Sequence, residues 1–188
     1  MLVRKALAPF VFALAAVGCS EAPEPAKAPP PANWESRPIT VQEVRFPALN
    51  QAIGELKGKM VVVDFWATWC APCVKKFPHL VEVQKRFADR GVVCVSVSED
   101  KRNGTLDMAK VQEYLTKWDA RFPNFVLADY DADEAELHKR FGLSPGIPYL
   151  VVLDRNGEPV WNSDDSVKVR KDEAKELDAF LEKLTAAK

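Results

Sequence analysis

Cys70 and Cys73, three positions apart, are the residues of this chain whose type and spacing could do chemistry. Two thiols that close can form a disulfide. A thiolate at the start of a helix is favoured over the thiol, because unpaired backbone N–H groups and the helix dipole stabilise negative charge there. The same C-x-x-C spacing is also half of a tetrahedral zinc site. A redox centre and a metal half-site therefore both stand as readings of the pair, and the rest of the chain must decide between them.

Positioning the pair falls to the segments around it. Met60 to Phe65 is a continuous apolar, β-branched run, the pattern of a central strand covered on both faces, broken by one carboxylate, Asp64. From Cys70 to about Ala88, apolar residues at Val74, Phe77, Leu80, Val81, Val83 and Phe87 form a helical stripe. Pro78 lies inside it and predicts a kink, since proline removes a helix hydrogen bond. Val92 to Val97 reads as a second central strand, with Cys94 as a small buried hydrophobe. Glu99 to Gly104 reads as a polar loop, Leu106 to Trp118 as a helix, and Phe125 to Leu127 as a short strand. Asp133 to Phe141 follows as a helix with an acidic first turn. Tyr149 to Leu153 and Pro159 to Trp161 read as strands joined by the turn Asp154-Arg155-Asn156-Gly157, and Arg170 to Ala186 as a charged closing helix. Strands alternating with helices, then a hairpin and a last helix, argue an α/β sandwich on a mixed sheet.

Composition sets the outer limits. The 188 residues are 47% hydrophobic and 28% charged, an ordinary globular balance for one domain, and the net charge of -1 gives no electrostatic footprint for nucleic acid. Residues 1–19 read as an export signal: Arg4 and Lys5 precede an apolar stretch from Ala6 to Val17, and small residues lead to Cys19. This ending resembles a bacterial lipobox, in which the cysteine becomes the lipidated first residue, although Ala16 stands where Leu is usual. Ser20 after the cysteine favours the outer membrane over the inner. Residues 20–38 are rich in Pro, Ala and Glu and read as a disordered tether, leaving 39–188 as the folded domain.

Four features spread over about a hundred residues then carry a family resemblance: Phe65-Trp66-Ala67-x-Trp69-Cys70-x-Pro72-Cys73; Pro78 in the following helix; Gly146-Ile147-Pro148 before a strand; and Asp154-x-x-Gly157 in the last hairpin. The domain resembles the thioredoxin superfamily, specifically its exported TlpA/ResA-like thiol–disulfide oxidoreductases. The extra helix and strand between Val97 and Asp133 match an insert of that branch.

The resemblance implies a thioredoxin-like fold and a redox-active Cys70–Cys73 disulfide, with no other cofactor and no metal. Cys70 would be the nucleophile and Cys73 the resolving thiol. Pro72 suits the first helical turn, Trp69 would shield the pair, and Trp69, Ala71, Pro72 and Ile147 would receive the substrate. Pro148 would be cis and face the disulfide. Asp64 matches the buried acid of thioredoxins, where many TlpA-like proteins have Asn, and would accept the Cys73 proton. The lysine that accompanies that acid in thioredoxin is missing from Val92–Val97. His79 and His138 read as surface or packing residues.

The expected function is a periplasmic, lipid-anchored oxidoreductase that exchanges disulfides with proteins. Family analogy makes it a reductant fed by a membrane electron donor, with apocytochrome c maturation as a possible task. Two alternatives remain on the same fold. A thiol peroxidase would want Thr where Ala67 stands. A Sco-like copper chaperone would want one more residue between the cysteines, with His138 as a third ligand.

Overall fold

The structure is a computed structural model that describes residues 34–103, 106–143, 146–163 and 172–186. The expected export signal with Cys19, and the expected tether as far as residue 33, lie outside the described residues. β2 (Met60–Trp66) is buried along its whole length, and β3 (Val92–Ser98) almost so, as their apolar runs require. Successive side chains of a strand point to opposite faces. Met60, Val62 and Trp66 therefore enter one core, and Val61, Val63 and Phe65 the other.

Around these two strands stand β1 (Gln42–Val44), β4 (Asn124–Leu127), β5 (Tyr149–Leu153) and β6 (Pro159–Asn162), in the order β1-β4-β3-β2-β5-β6. The first four positions in that order are parallel, and β5 and β6 are antiparallel additions. The sheet is thus mixed, in a thioredoxin-like α/β fold. α2 (Ala71–Phe87), α3 (Met108–Lys117) and α5 (Glu173–Ala186) contribute to the core that holds the cysteines. α1 (Phe46–Gly54) and α4 (Tyr130–Phe141) contribute to the opposite core. Among the described residues no helix is long and apolar enough to cross a membrane.

Three departures from the sequence reading have local causes. β1 and α1 escape a periodicity search because β1 is three residues long and mostly exposed, while α1 buries just Leu49 and Ile53. α4 begins three residues before its expected start, because Asp129 caps it by accepting the Ala132 N–H at 3.1 Å. The expected polar loop after β3 begins with two buried acids, Glu99 and Asp100, and a short 3-10 turn at Asp100–Asn103.

α2 carries Pro78 in its interior. A proline there supplies no N–H to the carbonyl four residues earlier. That carbonyl belongs to Val74, and Tyr114 Oη on α3 donates to it at 2.9 Å.

Candidate active site

β2 ends at Trp66, and the chain turns through Ala67–Cys70, closed by the Cys70 N–H donating to the Ala67 carbonyl at 3.1 Å. Cys70 is the N-cap of α2, with Pro72 in the first helical turn. Its sulfur accepts the Cys73 N–H at 3.3 Å, one of the N–H groups that a helix start leaves without an internal partner. Cys70 and Cys73 are joined by a disulfide with their Cα atoms 5.2 Å apart. Both are buried, Cys73 more deeply than Cys70 (1% against 6% exposed). The helix N-terminus therefore offers its positive end to the more accessible sulfur.

The Ile147–Pro148 peptide is cis, and the Ile147 carbonyl oxygen lies 3.8 Å from Cys70 Sγ. Gly146 precedes it with φ 118, a left-handed conformation that favours glycine. Around the disulfide, Trp69, Ala71 and Pro72 are exposed and Ile147 is half-buried. Trp69 stands at 44% exposure, a large apolar surface next to Cys70 in the chain.

Behind the pair lies a cleft of about 440 Å³, lined among others by Asp64, Pro72, Lys76, Pro148 and Glu173. Asp64 is 6% exposed, and burial pushes its carboxyl up from 3.8 to about 7. Glu173 adds to that rise and Lys76 opposes it, the two being paired with each other at 2.7 Å. Charges from α2 and α5 thus surround Asp64 in place of a lysine on β3. Its environment suits a group that takes or gives a proton near neutrality.

Of the remaining residues singled out in the sequence, His79 lines the same cleft, Cys94 lies near enough to Asp64 to feel its charge, and His138 lies on α4. His79 pairs with Asp178 at 3.1 Å, and His138 shares a hydrogen bond with Tyr130 Oη at 3.2 Å. Cys94 is a free, buried thiol, pushed well above its ordinary value by burial and by Asp64, and its sulfur sits 3.5 Å from the Leu80 carbonyl. It has the environment of an inert thiol. Among the described residues no group of three or more His, Cys, Asp or Glu side chains could hold a metal ion.

With this geometry in place, comparison with known proteins decides the family. The Redoxin pattern matches residues 43–181, most of the chain and all of the site. The chain belongs to the Redoxin family. As a Redoxin it is 29% identical over 132 residues to the thiol-disulfide oxidoreductase ResA of Bacillus thuringiensis subsp. konkukian, covering 70% of this chain and 66% of that protein. It is 32% identical over 110 residues to ResA of Bacillus subtilis (strain 168), covering 57% of this chain and 54% of that one. The chain thus aligns with just under two thirds of the first relative's length and little more than half of the second's. Among solved structures, a thiol:disulfide interchange protein of the thioredoxin family from Chlorobium tepidum TLS superposes with a TM-score of 0.54 and 28% identity. That match covers 69% of this chain and 82% of the other.

Sequence reasoning passed over Asp100, Tyr114 and Glu173 as parts of this region. Pro78 signals that the Val74 carbonyl needs another donor, but nothing local says that Tyr114 supplies it. Asp100 follows a strand in a polar run, which looks like ordinary loop chemistry.

Proposed function

We propose that this Redoxin is an exported, membrane-tethered thiol–disulfide oxidoreductase that reduces disulfides of periplasmic proteins through Cys70 and Cys73. The observation that carries the reading is the Cys70 sulfur at the start of α2, 3.8 Å from the carbonyl of the cis Ile147–Pro148 peptide. The names of the ResA relatives support the same chemistry.

In the reduced protein, the Cys70 thiolate attacks one sulfur of a client disulfide. The client S–S bond breaks, its first sulfur leaves as a thiolate, and Cys70 is left in a mixed disulfide. Cys73, nearer the interior, gives its proton to Asp64, whose raised proton affinity lets it accept one near neutrality. The Cys73 thiolate then attacks Cys70 Sγ, the mixed disulfide breaks, and the second client thiolate departs. Two electrons have moved to the client, and Cys70–Cys73 is oxidised. Trp69, Ala71 and Pro72 offer the client its apolar contact, and the Ile147 backbone a place to pair with an extended segment.

In this reading Cys19 is lipidated and residues 20–38 tether the domain, favouring the outer membrane. A membrane-bound donor of electrons re-reduces the pair, because an oxidising compartment supplies none. Apocytochrome c is the client class suggested by the family resemblance.

A Cys73→Ser variant expressed in the native cell tests the proposal. It should accumulate mixed disulfides through Cys70 with exported client proteins, and those clients should become over-oxidised when the wild-type protein is removed. Absence of any Cys70-dependent adduct, or clients left reduced on its removal, would sink the reductive reading.

A further inference from the structure

The connection between β3 and β4 grips both flanks of the cysteine pair. On the N-terminal side stands Asp100, 3% exposed. Its carboxylate accepts the Thr68 N–H at 3.1 Å on each oxygen, the Thr68 Oγ1–H at 2.5 Å and the Ser98 Oγ–H at 2.6 Å. Thr68 lies inside the turn that delivers Cys70, and the Glu99 N–H ties the residue at its entrance by donating to the Trp66 carbonyl at 2.8 Å. On the C-terminal side stands Tyr114. It donates to the carbonyl of Val74, the residue after Cys73, which Pro78 leaves without its helical donor. The Tyr114 ring is fixed in place by Trp66 and Phe77, with centroids 4.9 and 5.3 Å away.

We infer that Asp100 and Tyr114 are positioning residues that hold Thr68 and Val74, the two flanks of Cys70–Cys73, in the spacing of the closed disulfide, and thereby set how readily the reduced pair closes. In the oxidised protein the S–S bond fixes that spacing by itself. After reduction the spacing depends on non-covalent bonds, and these join the first-turn bond from the Val74 N–H to the Cys70 carbonyl at 3.0 Å in supplying them. A dithiol held near its closed geometry loses less freedom on closing, so its disulfide is more stable and Cys73 attacks a mixed disulfide faster. Loosening either flank lets the reduced form spread, which favours reduction and slows resolution. A bond that serves folding alone weakens oxidised and reduced proteins equally, and leaves the equilibrium between them unmoved.

The inference rests on the redox role proposed above for the pair. Thr68→Val, Asp100→Asn and Tyr114→Phe, with Thr68→Ser as the conservative control, are compared with wild type in the full chain. Each is equilibrated in glutathione redox buffers and melted in urea in both redox forms. The equilibrium constant for oxidation by glutathione disulfide should fall by up to about tenfold in the first three, which is about 30 mV for a two-electron couple. Thr68→Ser, which keeps the hydroxyl, should track wild type. In each affected variant the reduced form should lose less urea stability than the oxidised form. Unchanged redox constants with equal losses in both forms would overturn the inference. Thr68→Val and Tyr114→Phe remove small groups and carry the test if Asp100→Asn does not fold. A wild-type pair without a reversible couple would defeat the functional proposal itself, whereas a reversible couple indifferent to these variants defeats this inference alone.

Discussion

Asp64 and Asp133 are acids hidden from water to a similar degree, 6% and 1% exposed, on opposite sides of the sheet. Asp133 belongs to the α1/α4 side. It accepts Arg45 Nε at 3.1 and 2.9 Å, Arg45 Nη2 at 2.8 Å, and the Phe46 N–H at 2.8 Å. Since Arg45 caps the start of α1 without a side-chain bond of its own, this acid from α4 supplies the missing cap. The Arg45 hydrogen bonds outweigh burial and hold the Asp133 carboxyl below its usual range. Asp64 sits on the α2/α5 side, and no hydrogen bond among the described residues favours its charged form. Burial wins there and the carboxyl rises to about 7. Covering a carboxylate does not decide its proton affinity; the donors brought to it do. One acid is used up in holding two helices together, and the other is left able to change charge.

The comparison can be broken at several points. The largest effect should come from Cys70→Ser, which should lower insulin disulfide reduction by at least about a hundredfold, since a serine hydroxyl cannot replace a thiolate. Retained activity would remove the redox meaning from the Asp64 side altogether. The next is the pH dependence of stability. Folded Asp64 binds its proton up to about pH 7, whereas unfolded Asp64 releases it near 3.8. The folded state therefore holds more protons between those values, and stability falls as pH rises through that window, by roughly 4 kcal/mol at full extent. Urea melts at pH 5 and pH 8 should show a larger fall in wild type than in Asp64→Asn, where Glu99, also pushed up to about 7 by burial, leaves a fall of its own. Asp133 has the opposite sign: its contribution is present above the ordinary carboxylate value and is lost as pH falls through its depressed folded value.

Two smaller effects sharpen the contrast. Asp64→Asn should slow resolution of a preformed mixed disulfide by about tenfold to a hundredfold and erase the inflection near pH 7, as rapid-quench measurements would show. Asp133→Asn should cost about 2 kcal/mol in urea melts through its weakened bonds to Arg45 and Phe46, and leave disulfide exchange rates unchanged. An exchange defect in that variant would show that the two sides of the sheet are not independent.

What could be read in advance follows from how local each signal is. β2, α2, β3 and β5 announce themselves through continuous apolar runs or a helical stripe, and they are the elements that hold the cysteines. Leu49 and Ile53, four apart after Pro47, were the available sign of α1, but two apolar residues do not separate a helix from a loop. Asp133 looked like part of an acidic first turn and so like the start of α4. Its side chain is engaged by Arg45, 88 positions away, which no local pattern reveals. Glu99 misled for the same reason: an acid in a polar run reads as solvated, yet it is 2% exposed, paired with Arg102 at 3.1 Å, and burial pushes it up to about 7.

The sequence by itself determined the C-x-x-C spacing, the helix start that bears it, the apolar strand that delivers it and the proline that robs Val74 of a donor. Each depends on residues within a few positions of one another, where backbone geometry fixes what can meet. Tertiary structure decided the rest. It brought the Ile147 carbonyl to Cys70 across 77 positions and Asp100 to Thr68 across 32, and it left Asp64 buried without a hydrogen-bond donor among the described residues. Those outcomes belong to packing, because reactivity and proton affinity are set by whichever distant groups the fold carries to the site and whichever it keeps away.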